Sequence, residues 1–350
     1  RGRIQRSREA DGKGMIAFVT GGTGFLGRRV VRCLAEEGAH VRCLVRATSN
    51  VEGLRNFVGA KRWPQIEIVR GELDAPASYR ASLEGVDAVI HLAAGMTGGA
   101  AALVLTTVIP TRALVHACAD AKVPRFVLIS SLGVYGAGHL KAWDTLDESC
   151  PVDPNPHLRD PYTYSKILQE TVCRDLAREN GLPLVVIRPG VIFGPGRDVV
   201  STRVGLTFAG RTFRIGSSRL LPYTFVDNCA AAIAKASRAA NAVGETFNIL
   251  DDDLPTVGSL VSAHRRHGKK LRTVWIPQSA IGTLSSVYEW YHRYSKGQLP
   301  GVITRYRTDT FWKPLRFSNA SARERMGWKP QVPMAEALEQ TILAPLAEQP

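Results

Sequence analysis

Hydrophobic positions arrive in two alternating rhythms along the first half of the chain. Continuous runs such as MIAFV at 15–19, HVRCLVR at 40–46 and VDAVIHLAA at 86–94 are dominated by apolar residues. Runs of this kind need apolar cover on both faces, as strands of a parallel sheet do. Between them lie stretches with apolar residues three and four apart: Leu26, Val30, Val31 and Leu34 in FLGRRVVRCLAEEG, closed by Gly38. That is a helical stripe with a glycine stop. QIEIVRGEL, RFVLISS and LPLVVIRPG continue the strands, TRALVHACADA and YSKILQETVCRDLAREN the helices. The alternation predicts an α/β fold with a doubly wound parallel sheet over residues 15–190. Beyond 190 the rhythm loosens and Pro, Gly and basic residues accumulate. A smaller C-terminal substrate lobe is expected from 191–225 and 251–350, with 226–250 returning to the sheet.

Composition narrows this picture. A chain of 350 residues with 45% apolar content can bury a large core. Its six cysteines are scattered with no C-x-x-C pair, so no metal site or disulfide framework is expected and the setting reads as reducing and cytoplasmic. Residues 1–14 are polar and basic without the apolar run of a secretory signal; they read as a disordered tail, with Met15 the expected natural start. No membrane span is expected. The net charge is +14, and residues 201–330 hold 20 Lys and Arg against 8 Asp and Glu. Such a surplus suits an acidic substrate or an anionic surface, or is simply a solvated face. No helix-turn-helix or aromatic-basic signature accompanies it, so nucleic acid is not an expected partner.

The loop TGGTGFLG at 20–27 follows the first strand and opens the first helix. Gly21 permits a tight turn, Gly24 lets the backbone approach a pyrophosphate at the helix N-terminus, and Gly27 allows helix and sheet to lie close. With Thr23, Phe25 and Leu26 these residues are the expected cofactor loop of a Rossmann-type dinucleotide fold. An acid at the end of the second strand would bind ribose hydroxyls, whereas an arginine accommodates a 2'-phosphate. The residue there is Arg46, with no acid until Glu52. NADP is therefore the preferred cofactor, with NAD the alternative and Arg28 a second candidate for the phosphate.

DPYTYSK at 160–166 offers two tyrosines to one lysine. Tyr162 and Lys166 are four apart and share a helical face; Tyr164 and Lys166 are two apart and do not. A nearby cation favours the phenolate of a tyrosine whose free pKa is about 10, so Lys166 is expected to bring Tyr162 into range for proton transfer. ISSLGVYG at 129–136 supplies Ser130 and Ser131 at a strand's C-terminal end, where ligands bind such sheets.

TGGTGFLG, HLAA, ISSLGVYG, YTYSK, RPGVIFGPG and FVDN, in this order and spacing, resemble the extended short-chain dehydrogenase/reductases, the NAD(P)-dependent epimerase/dehydratase family. The resemblance implies a catalytic serine at Ser131, with Ser130 the neighbouring alternative. It implies a general acid/base at Tyr162, and at Lys166 a ribose-binding lysine that lowers the tyrosine pKa. It also implies Glu72 and Leu73 at the adenine, Leu92, Ala93 and Ala94 along the cofactor, and Pro189 near the nicotinamide. Tyr135 would be structural or border a small-molecule substrate, and a homodimer through two helices of the sheet domain is the family's habit.

Departures direct the substrate reading. Thr107 replaces an asparagine of the family's relay, and Leu132 and Gly133 replace the Asp-Glu of dehydratases. Val191 stands where nucleotide-sugar members carry asparagine, and Leu221 where they carry a diphosphate-gripping arginine, with Arg219 two residues away. The pattern looks closer to the branch of 3-beta-hydroxysteroid dehydrogenase-like and dihydroflavonol-reductase-like enzymes. An oxidoreductase interconverting a secondary alcohol and a ketone is expected, a nucleotide-sugar epimerase with retained NAD being the alternative and a cofactor-binding scaffold a third. In 276–296, Ile281, Leu284, Val287 or Tyr288, Tyr291 and Tyr294 recur on one helical face. Core burial is the commoner fate of such a stripe; a lid, or an interfacial helix aided by Arg293 and Lys296 in peripheral membrane contact, is the alternative.

Overall fold

A computed structural model describes residues 14–208, 210–269, 271–295 and 303–345, so the expected tail falls, except for Gly14, outside the described residues, as does Lys296. Strands β1 (Ile16–Thr20), β2 (His40–Val45), β3 (Ile66–Arg70), β4 (Ala88–His91), β5 (Phe126–Ile129), β6 (Leu184–Pro189) and β7 (Thr246–Ile249) form one sheet. Their order is β3-β2-β1-β4-β5-β6-β7, and every neighbouring pair is parallel. The order reverses between β1 and β4, the switch point where doubly wound sheets open a crevice at their C-terminal edge.

Helices α1 (Gly27–Glu36), α2 (Val51–Val58) and α5 (Val226–Ala236) cover one face, α3 (Ala100–Asp120) and α4 (Pro161–Glu179) the other. The split is visible within β1: Ala17 and Val19 pack with Val30, Leu34 and Ile233, whereas Phe18 packs with Leu114, Val115 and Cys173. Burial on both faces is why these strands lack polar alternation.

α3 is long and apolar enough, by length and composition, to cross a membrane, which the sequence was not expected to offer. Leu114, Ala117 and Cys118 are nevertheless sealed into the core beneath the sheet. Its middle turn, Val104–Val108, is a π turn.

Beyond the sheet, Gly205–Phe208, Arg211–Ile215 and Thr273–Ile276 form a three-stranded sheet, and Val191–Phe193 pairs in parallel with Tyr223–Phe225. Arg316–Phe317 pairs with Thr145–Leu146, and Leu146 and Cys150 pack with Leu315. This contact between the expected sheet domain and the C-terminal residues had no sequence signal, because a two-residue strand carries no periodicity. The stripe at 276–296 forms helix α6 (Ala280–Tyr294), but the expectation of core burial is overturned: only Ser285 in it is buried.

Candidate active site

A cleft of about 1160 Å³ runs along the C-terminal edge of the sheet, from the glycine loop to residues 197–203 and Phe311. Gly21 has φ +72°, and the Gly24 amide donates to its carbonyl at 3.1 Å. A Cβ on Gly27 would lie 2.0 Å from the Gly21 oxygen, so any side chain there would break the turn. Arg29 braces the loop, donating to the carbonyls of Phe25 and Pro195 at 3.0 and 3.1 Å beside Asp227. This bare-backbone cradle, with Thr23, Phe25 and Leu26 on its wall, fits a dinucleotide pyrophosphate.

Arg46, Glu72, Leu73, Leu92, Ala93, Ala94 and Pro189 all line the same cleft. Arg46 is exposed at its rim, at the end of β2. Arg28 is not among the lining residues: its guanidinium lies 4.7 Å over the Phe57 ring.

Asp160 caps α4 by accepting from the Thr163 amide at 3.0 Å, and Pro161 fills the first turn. The helix thus starts before Tyr162, which makes the four-residue spacing to Lys166 a true helical spacing. Tyr162 and Lys166 line the cleft and Tyr164 does not. Burial pushes the Tyr162 phenol up to about 12, and Asp160 adds to this; Arg197 and a hydrogen bond with Ser131 pull the other way. The expected lowering by Lys166 is therefore corrected: Arg197 is the cation acting on this phenol. Lys166 instead donates to Ile129 O and Gln169 Oε1, both at 2.8 Å. Burial lowers its ammonium to about 8, against the opposing pull of Glu170.

The two serines separate. Ser130 is buried and donates to Glu170 Oε2 at 2.6 Å. Burial alone would raise the Glu170 carboxyl, but Arg188, Arg174 and Ser130 hold it lowered. Ser131 is turned to the cleft, where it accepts from the Gly133 amide at 3.1 Å.

Behind Lys166 runs a closed polar chain. Gln169 Nε2 donates to Thr111 Oγ1 at 2.8 Å, and Thr111 lies 2.8 Å from His91 Nε2. His91 Nδ1 meets Thr20 Oγ1 at 2.8 Å, beside the glycine loop. Burial, then Lys166, hold His91 neutral by lowering it to about 3.

Of the substrate candidates, Val191 lines the cleft. Tyr135 and Arg219 do not. The Tyr135 hydroxyl donates to Asn248 at 2.7 Å under the Arg188 guanidinium, 4.3 Å from the ring, which makes it a structural residue. Arg219 is buried and donates to the carbonyls of Arg203 and Ile215, so it cannot reach a ligand there.

A model of the NAD dependent epimerase/dehydratase family matches residues 17–249. The chain belongs to this family. It is 33% identical to cinnamoyl-CoA reductase 1 of Petunia hybrida over 187 residues, 52% of this chain and 56% of that one. The chain thus matches little more than half the length of such reductases. Over 93% of the chain it is 27% identical to 3beta-hydroxysteroid-dehydrogenase/decarboxylase isoform 1 of Arabidopsis thaliana, covering 78% of that protein. It is 28% identical to 2-alkyl-3-oxoalkanoate reductase of Stenotrophomonas maltophilia over 93% of this chain and 97% of the relative. Among solved structures, gox2253 superposes with a TM-score of 0.75 at 26% identity, over 93% and 96% of the two chains. UDP-glucuronic acid 4-epimerase from Bacillus cereus, in complex with NAD, does so at 0.68 and 19% over 94% and 97%, a likeness of fold alone.

The family match spans the parallel sheet from β1 to β7. Within the family frame, four groups escaped the reading of the sequence. Gln169 lies three residues from Lys166 on the same helical side and could have been found by that spacing. His91 heads HLAA, where only its three successors attracted notice. Arg197 and Arg203 line the far end of the cleft, Arg197 stacked 4.8 Å over Phe25 and Arg203 4.5 Å over Phe311. Their loop carries no periodic signal.

Proposed function

We propose that the chain is an NADPH-preferring reductase that converts a ketone into a secondary alcohol. The observation that carries this reading is geometric: Tyr162 and Ser131 are hydrogen-bonded to each other on the wall of the cleft, with Lys166 one helical turn away. The phenol is protonated at neutral pH, and because burial makes it a weaker acid than a free tyrosine, transfer of its proton to a carbonyl oxygen relies on the neighbouring positive charge and the Ser131 hydrogen bond. A reduced nicotinamide held along the cleft wall by Leu92, Ala93, Ala94 and Pro189 would supply the hydride. Ser131 orients the carbonyl oxygen and Tyr162 gives up its proton to it. Lys166, held by Ile129 O and Gln169, keeps one N–H beyond these two bonds with which it would hold the nicotinamide ribose, and Arg197 is the cation that favours the phenolate left behind. Arg46 supports the NADP preference, because a guanidinium at the end of β2 suits a 2'-phosphate. The apolar Val191 and the inward-turned Arg219 weigh against a nucleotide-sugar pocket.

The test is stoichiometry. A reductase consumes one NADPH for each ketone reduced and releases NADP. Isomerisation of a sugar nucleotide with no net change in cofactor absorbance would overturn the reading.

A further inference from the structure

Helix α6 is built the wrong way round for a helix of a water-facing lobe. Its buried position is a serine, Ser285, whose hydroxyl accepts from Thr308 Oγ1 at 3.3 Å on helix α7 (Arg305–Trp312). Leu284, Val287, Trp290, Tyr291 and Tyr294 face outward, with exposures from 46% for Tyr291 to 73% for Tyr294. At 100° per residue these five fall within an arc of about 120°. Trp290 and Tyr294 stack at 5.6 Å, a rigid aromatic ridge. The helix's one acid, Glu289, is turned away and accepts from the Arg305 amide at 2.9 Å. Arg293, also exposed, lies about 60° beyond the Trp290 edge of the arc.

We propose that this ridge docks the enzyme on an anionic lipid surface. Trp and Tyr favour the headgroup boundary, where an apolar ring and a polar tip are both satisfied, and flanking cations strengthen binding to acidic lipids. The surrounding sequence is suited to that field, since residues 201–330 carry 20 Lys and Arg against 8 Asp and Glu. A second copy of this chain is a poorer partner, because joining two such basic lobes through a helix whose one acid, Glu289, is turned away brings like charges together. α7, on which α6 packs, also contributes Phe311 to the cleft wall. Docking through α6 would leave α7 between the lipid boundary and this part of the cleft wall.

The experiment is vesicle flotation of the full chain, with phosphatidylcholine alone and with about 30 mol % phosphatidylglycerol. The protein is expected to float with the anionic vesicles, less so as salt rises. Trp290→Ser with Tyr294→Ser is expected to weaken this about tenfold or more, while NADPH affinity and melting temperature stay unchanged, since neither residue lines the cleft or the core. The proposal fails if the protein stays in the aqueous fraction, or if the double variant floats as well as the parent. It fails equally if the substitutions abolish a dimer seen by sedimentation instead of vesicle binding.

Discussion

Replacing Gln169 by leucine should detune the active-site lysine without touching the cleft. Gln169 is buried and of similar bulk to leucine, so the losses are the acceptor 2.8 Å from Lys166 Nζ, which acts on the lysine, and the donor to Thr111 behind it, which acts on stability. A hydrogen bond to a charged group is worth about 1.5–3 kcal/mol, or roughly one to two pKa units at about 1.4 kcal/mol each. Lys166 starts at about 8 because burial already disfavours its charge. Without Gln169 it should fall to about 6–7, and the charged fraction at pH 7.5 from about three-quarters to about a tenth. If charged Lys166 is needed, kcat/KM is lost as pH rises through its pKa, so the alkaline limb should move down by about one to two units. Gln169→Glu restores an acceptor, adds a negative charge and should move the limb back up. The assay is the pH profile of NADPH-dependent reduction, with thermal unfolding to verify folding. A folded leucine variant whose alkaline limb does not move would refute the reasoning.

The other predictions address neighbouring groups. Tyr162→Phe should cost at least about a hundredfold in kcat with NADPH affinity retained, measured by fluorescence titration. Ser131→Ala should lower kcat with little change in melting temperature. Ser130→Ala should instead destabilise by about 1.5–3 kcal/mol in urea unfolding, since it removes a donor from buried Glu170. Arg46→Asp should shift cofactor preference from NADPH towards NADH, read from the ratio of the two kcat/KM values. His91 is held at about 3 in the fold against about 6.5 when unfolded. Between these values the unfolded chain binds the extra proton, so stability is full above about 6.5 and declines as pH falls towards 3. His91→Asn should flatten that part of the urea midpoint's pH dependence.

The sheet was legible because strands buried on both faces must be continuously apolar, as Ala88 to Ile90 and Val185 to Ile187 are. Tyr162 was distinguishable from Tyr164 because helical geometry assigns only one to the lysine's face. Arg219 was not, since an arginine that saturates backbone carbonyls in the interior has the same letter and neighbours as one that grips an anion. The source of the charge acting on Tyr162 was equally hidden: Arg197 lies 35 positions away and meets the site only through the fold. The stripe on α6 announced a helix but not which way it faced, because Ser285 looks like a solvent residue until Thr308 is opposite it.

The π turn in α3 sets a trap for comparison with relatives. A π turn takes in one more residue than the α-helical turn it replaces, so the frame slips by one across Val104–Val108. Ungapped spacing sets Thr107 opposite the family's asparagine. Thr107 is turned inward, accepting from the Gly95 amide at 2.9 Å and, through its carbonyl, from Thr111 at 2.6 Å. The threonine on the cleft wall is Thr106. Writing asparagine at 107 would therefore put the family's letter at a place that does not line the cleft, whereas asparagine at 106 would stand on its wall.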